Sequence, residues 1–310
     1  MKTIDTITQA VCPQGSAVAL GSFDGIHMGH KALIGGMVEH AKEQGLTPVV
    51  FTFSNHPREL VPNAPRVKNI LYKNEKEQII ASLGVEVLAS VPFDQHMMTL
   101  PPERFVREIL VEGLNAKAVF CGFNYRFGYR AQGNPESLRE FGEQFGFRVS
   151  VLEPVVINGN VVSSSMIRTM IAAGQVERCP LYMGRYYATS GEVVVGNRLG
   201  RTLGFPTVNL VIDPDMVTPP NGVYVTNCIY DGIRYPSVTN VGVKPTIGEY
   251  QKNIETHIFG FDREIYGERI TVEFLKKMRD EVKFDDREEL AAQILRDCRE
   301  AKEFHEQNRA

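Results

Sequence analysis

The chain has 310 residues, 43% hydrophobic and 23% charged, which suits a globular protein of two domains, and its formal net charge of −3 gives no case for nucleic acid or an anionic membrane as partner. Its five cysteines, Cys12, Cys121, Cys179, Cys228 and Cys298, lie far apart with no CxxC pair, which argues against a zinc site and a disulfide framework. The N-terminus has no apolar leader pattern and no apolar run approaches the ~20 residues that span a bilayer, so a soluble, cytoplasmic protein is expected, of no specified oligomeric state.

An apolar run over 17–20 leads into the turn 21–30, after which Leu33, Ile34, Met37, Val38 and Ala41 follow helical spacing up to a Gly45 stop. Thr47–Phe53 reads as a buried strand, broken by Asn55-His56-Pro57. A helix over 75–83 ends at Gly84, and 85–91 is the next strand. Pro101-Pro102 opens a helix with Phe105, Val106, Ile109 and Leu110 as its apolar stripe, a place where proline's missing N–H costs nothing. A strand over 117–123, a helix over 135–145 and a strand over 148–156 follow. The alternation predicts βαβ units in an α/β, doubly wound parallel sheet.

Near residue 184 the texture changes. Runs rich in Val, Thr, Ile and Tyr at 191–195, 207–211, 222–230, 235–241, 255–261 and 270–274 are separated by turn residues, as in a small antiparallel β-barrel. A C-terminal helix closes the chain, with Asp286 and Glu289 as a capping box and Leu290, Ile294, Cys298 and Ala301 as a stripe fit to lie against the barrel. The expected domains are 1–183 and 184–310.

Segment 21–30 sits where a strand hands over to a helix. Free N–H groups and the positive end of the helix dipole make such turns sites for phosphate. Gly21 and Gly25 bend the turn, Phe23 and Asp24 lie within it, and His27 and His30 face one side if the turn is already helical. The alternative is a surface loop that contains histidine.

His27-Met28-Gly29-His30, following a Gly-x-Phe-Asp-Gly turn, resembles the HxGH motif of the nucleotidyltransferase superfamily. Segment 162–168 resembles the I-S-S-T-x-I-R motif of that superfamily's flavin branch, with Ser165 keeping the hydroxyl of the usual threonine. The resemblance implies that His27 and His30 contact a triphosphate and stabilise the transition state. It also implies that Ser164, Ser165 and Arg168 hold departing pyrophosphate at a helix start, whereas the serines alone read as an ordinary N-cap. Segment 121–128 resembles the same branch's G-x-N/D-F-x-F-G turn. Asn124 there either faces a phosphate at a strand's carboxyl end or is a turn asparagine at positive φ. Arg126 and Arg130 either approach phosphates or form a solvated basic turn.

Segment 191–209 contains G-x-V-x-x-G, G-R, L-G-F and P-T-x-N in succession, and 222–225 reads GVYV. Gly196, Gly200 and Gly204 let backbone approach phosphates closely, with Arg201 among them. Thr207 and Asn209 share a face if 207–211 is a strand, and their hydroxyl and amide oxygens are hard ligands suited to Mg²⁺ bound to ATP. These features resemble the riboflavin kinase family over nearly all of 185–310. Glu255-Thr256-His257-Ile258 matches that family's E-T-H-I strand, which implies that Glu255 takes the proton from a flavin 5′-hydroxyl. His257 reads as a structural, hydrogen-bonding histidine, 240–246 as a mobile loop over the substrates, and Arg279 as an aid to holding the flavin.

Together the two resemblances indicate the bifunctional prokaryotic FAD synthetase family. They imply riboflavin, FMN and ATP as small-molecule partners, Mg²⁺ with the ATP, phosphorylation of riboflavin in the second domain and adenylyl transfer to FMN in the first. The alternative is a riboflavin kinase fused to a nucleotidyltransferase domain of different substrate or lost activity. A class I synthetase relative would need a K-M-S-K-S-like loop, which is absent, and a flavin sensor would need neither the base Glu255 nor the ligands Thr207 and Asn209.

Overall fold

The computed structural model describes residues 1–7, 11–60, 66–196, 200, 204–246 and 249–308, which divide into two compact units, Met1–Ser164 and Ser165–Ala310.

In the first unit six strands form one sheet, the central ones mostly buried on both faces and the two edge ones partly exposed. In chain order they are β1 (Lys2–Ile4), β2 (Ser16–Leu20), β3 (Thr47–Phe53), β4 (Val87–Val91), β5 (Ala116–Gly122) and β6 (Arg148–Leu152), forming one parallel sheet in the order β1-β4-β3-β2-β5-β6. Every residue of β2 and β4 is buried, as a sheet covered by helices on both faces requires. One face carries Ala17, Ala19 and Val50 against Leu33, Ile34, Met37 and Val38 of α1 (Met28–Gln44). The other carries Val18, Leu20 and Phe51 against Phe105, Val106, Leu110 and Leu138. Strand order reverses direction at β2, between β3 and β5, so the crevice at the carboxyl ends of β2 and β5 is the place where such a sheet binds ligands.

Three departures from the sequence reading have local causes. The helix opened by Pro102 becomes π-helical over Phe105–Gly113, where Leu114 N–H donates to Ile109 O at 2.9 Å. The strand expected over 148–156 stops at Leu152, ahead of Pro154, which has no N–H for a ladder. Val156–Ile157 (β7) instead pairs with Asn160–Val161 (β8) across Asn158-Gly159, whose φ values of 49° and 76° are those of a tight hairpin turn.

In the second unit β9 (Tyr187–Val194), β10 (Val208–Val211), β11 (Gly222–Tyr230), β12 (Ile233–Thr246), β13 (Glu249–Ile258) and β14 (Arg269–Asp280) close a barrel in the order β10-β13-β12-β11-β14-β9, with every pair antiparallel. The segment 240–246, expected as a loop, is the end of β12: Gly242 pairs with Asn253 and Lys244 with Gln251, so the ladder overrides the loop signals of Gly242 and Pro245. Inside the barrel the buried hydroxyls of Thr226, Ser237, Thr239 and Thr256 form a chain of hydrogen bonds of 2.7–2.8 Å. These groups satisfy one another, and the barrel's outer surface carries the C-terminal helix. There the C-terminal helix (Arg287–Gln307), capped by Asp286 accepting from Glu289 N–H at 2.8 Å, lays Cys298 and Ala301 on Val223, Val225, Val238 and Leu275. Among the described residues no helix is long and apolar enough to cross a membrane.

Candidate functional site

The turn after β2 is held in an unusual backbone shape. Phe23, Gly25 and Ile26 have φ of 48°, 77° and 32°, and a side chain at Gly25 would press on Ile70. Asp24 fixes the turn from both of its ends. Its carboxylate accepts the Ile70 N–H at 3.0 Å and its carbonyl accepts the Ser164 hydroxyl at 2.7 Å. At Gly21 a Cβ would meet the Phe23 ring at 3.0 Å.

His27 is the N-cap of α1, not part of the helix, yet its ring still lies beside that of His30. The two imidazoles stack with centroids 3.7 Å apart and 17° between planes, and His27 Nδ1 accepts the His30 N–H at 3.3 Å. Phe23 closes on His30 edge-on at 5.1 Å. A pair of imidazoles at a helix N-terminus, in the crevice of a parallel sheet, can donate to one anionic group.

Asn124 is exposed just beyond β5 and does not take positive φ; that conformation falls instead at Arg130 (51°) and Ala131 (57°). The Arg130 guanidinium lies over the Tyr129 ring at 5.2 Å. Ser165 and Arg168 belong to the helix Ser164–Ala172, Arg168 one turn beyond its start.

In the second unit a cleft of about 230 Å³ opens between barrel and C-terminal helix, lined by Thr207, Asn240, Glu255, His257 and Arg279 among others. In the ladder Glu255 stands opposite Asn209 of β10 on one side and Asn240 of β12 on the other. Asn253, two residues before Glu255, donates its amide to Glu255 Oε1 at 3.1 Å and to Asn209 Oδ1 at 3.3 Å. His257 Nδ1 is 2.8 Å from Pro206 O; a carbonyl only accepts, so this nitrogen carries hydrogen and fixes the residue before Thr207. Burial pushes the His257 pKa down, which keeps the ring neutral. Arg279 grips Asp297 of the C-terminal helix with two bonds, of 3.0 and 2.7 Å.

The glycines differ in what they make room for. A Cβ at Gly196 would run into the Asn209 amide and one at Gly200 into Phe205 O, whereas Gly204 faces open space at φ of 84°. Arg201 lies outside the described residues. The Thr207 hydroxyl and the Asn209 amide oxygen are hard oxygen donors, the kind that Mg²⁺ brought by a nucleotide takes. Among the described residues no cluster of three or more His, Cys, Asp or Glu could hold a metal alone.

A family model for FAD synthetase matches residues 9–166, and one for riboflavin kinase matches 183–305. A bifunctional riboflavin kinase/FMN adenylyltransferase of Bacillus subtilis is 35% identical over 291 residues, 92% of this chain and 91% of that one. That of Escherichia coli K12 is 33% identical over 306 residues, 98% and 97% of the two chains. The chain belongs to the bifunctional riboflavin kinase/FMN adenylyltransferase family. A solved structure from Streptococcus pneumoniae described as a macrolide-efflux protein is 32% identical, covers 100% of both chains and superposes with a TM-score of 0.89.

Sequence reasoning missed Asn253, the partner of Glu255 and Asn209. The signal for Asn253 was available: residues two apart on a strand share a face, so a polar residue two before Glu255 belongs beside it.

Proposed function

We propose that the two sites work in series, the barrel making FMN from riboflavin and ATP and the parallel-sheet domain making FAD and pyrophosphate from FMN and ATP. The observation that carries this reading is the grouping of Asn209 and Asn253 with Glu255, which lines the barrel cleft, a grouping that binding alone does not require. Phosphorylation of a hydroxyl needs a proton acceptor and charge neutralisation. Glu255, oriented by Asn253, takes the proton from the flavin 5′-hydroxyl as its oxygen bonds to the γ-phosphorus and ADP leaves. Thr207 and Asn209 would hold nucleotide-borne Mg²⁺, whose charge offsets that of the β- and γ-phosphates. Gly196, Gly200, Arg201 and Gly204 follow the nucleotide phosphates.

Adenylyl transfer makes a different demand. An FMN phosphate oxygen is already anionic, so its attack on the α-phosphorus of ATP needs no base, only groups that hold the reactants in line and stabilise charge. His27 and His30 donate to the triphosphate within the nucleotide site formed by Gly21, Phe23, Asp24 and Gly25, Asn124 faces a phosphate, and Ser164, Ser165 and Arg168 hold the departing pyrophosphate. The proposed domains are 1–183 and 184–310, and the cytoplasm is the proposed location.

The test is incubation with riboflavin, ATP and Mg²⁺ followed by chromatographic separation of flavins. Accumulation of FMN and then FAD is expected. FMN alone would reject the adenylyltransferase assignment, and no product would reject both.

A further inference from the structure

Lys76 lies on the helix Lys73–Ser82, half-buried, with its ammonium turned toward the sheet. Its Nζ donates to Ser22 O at 2.6 Å and to Thr52 Oγ1 at 3.0 Å, and the fully buried Thr52 hydroxyl itself donates to Ser22 O at 3.1 Å. Ser22 follows the carboxyl end of β2, and Thr52 is in the last turn of pleat of β3. The ammonium therefore stands at the edge of the crevice that holds His27 and His30.

A peptide plane is rigid, so fixing the Ser22 carbonyl fixes the direction of the following N–H and the start of the turn through Phe23, Gly25 and Ile26. Two of these residues, Phe23 and Ile26, are non-glycines at positive φ, a shape that persists only where the surroundings impose it. We propose that Lys76 is a positioning residue for adenylyl transfer: with Thr52 it pins the Ser22 carbonyl and so holds the turn that presents His27 and His30 to the triphosphate. This rests on the reading of that pair as the adenylyl-transfer site.

The pin is sensitive to pH. Burial lowers the Lys76 pKa to about 8 against the opposing pull of Asp24 in the turn and Glu77 on its own helix. Below that pH the side chain is charged and its bonds are charge-assisted; above it a neutral amine holds the carbonyl more weakly. FAD formation from FMN therefore falls as pH rises through about 8 in a step that riboflavin phosphorylation in the same molecules does not share.

The experiment measures both reactions between about pH 7 and about pH 9.5, on either side of this midpoint, in the full chain and in Lys76→Met, Lys76→Arg and Thr52→Val. Lys76→Met is expected to slow FAD formation about tenfold or more through kcat, as loss of a charge-assisted bond does, and to remove the alkaline step. Lys76→Arg, charged throughout, recovers most of the rate without the step, and Thr52→Val gives a smaller loss with the step retained. FMN formation stays unchanged in all three. An alkaline step that persists in Lys76→Arg, or Lys76→Met matching the parent, would overturn the proposal, and the arginine and valine variants decide the matter where the methionine variant does not fold. If the parent chain makes FMN but no FAD, the reading of the site itself fails; if the parent makes FAD and the variants are indifferent, only the role of Lys76 does.

Discussion

Asn209 and Glu255 stand opposite each other on neighbouring barrel strands, and the Asn253 side chain donates to both. A candidate metal ligand and a candidate base are thus oriented by one amide. Replacing Glu255 with Gln keeps the shape and the Asn253 contact but removes the proton acceptor. FMN formation from riboflavin is expected to fall on the order of 10²- to 10⁴-fold, while FAD formation from supplied FMN is unchanged. Loss of both activities would show that the two sites are not independent.

Asn253 makes a sharper test of the same arrangement. Asn253→Ala removes the shared donor and is expected to lower kcat for FMN formation about tenfold, with a smaller effect on the KM for riboflavin, because loosened orientation acts on the reacting geometry. Asn253→Asp puts a carboxylate where Glu255 and Asn209 present oxygens and is expected to be worse than alanine. Steady-state kinetics of FMN formation on the three chains checks the order.

His27 combines two tasks that can be separated. As N-cap of α1 it accepts the His30 N–H, and with His30 it forms the stacked pair. His27→Asn keeps a capping acceptor and is expected to leave the thermal transition in place while FAD formation falls on the order of 10²-fold or more. His27→Ala is expected to lose the same activity and in addition about 1 kcal/mol of stability. His30→Ala abolishes FAD formation and leaves FMN formation. Equal stability of His27→Asn and His27→Ala would remove the cap from the account.

The strong periodic elements were legible because burial alone dictates them. Thr47–Phe53, Pro135–Phe145 and Gly222–Tyr230 have the limits that their apolar runs and turn residues predict. β1 was not legible, since three residues, two of them exposed, carry no alternation and take their conformation from pairing with β4. The same holds for the far end of β12, where Gly242 and Pro245 read as loop and cross-strand pairing decides. At the sites, motif residues could be named from sequence. Lys76 could not, because it looks like any solvent-facing helical lysine until the helix Lys73–Ser82 is laid on the sheet.

All five cysteines are buried, and burial pushes the thiols of Cys121 and Cys298 up to about 11 and those of Cys179 and Cys228 up to about 12. A raised thiol pKa leaves almost no thiolate at neutral pH. The folded protein is expected to resist alkylation, with all five thiols modified only on unfolding. Rapid labelling of any one in the native state, read by mass spectrometry, would contradict its burial.

The C-terminal helix gives the last test. Asp297 is 7% exposed and Arg279 24%, and Gln293 adds a bond to the same carboxylate at 2.8 Å. Both charged residues line the cleft beside Glu255, so their contact sets the width of the cleft as well as the hold on the helix. Asp297→Ala leaves the Arg279 guanidinium without its carboxylate. The loss is expected to be about 2 kcal/mol, below that of a fully buried pair because Arg279 keeps contact with water. The KM for riboflavin should rise more than kcat falls, since the altered group shapes the cleft and stands apart from the proton acceptor, whereas FAD formation from FMN should not change. Denaturant unfolding followed by kinetics of the two reactions checks both expectations, and an unchanged KM with lowered stability would confine the ion pair to a structural role.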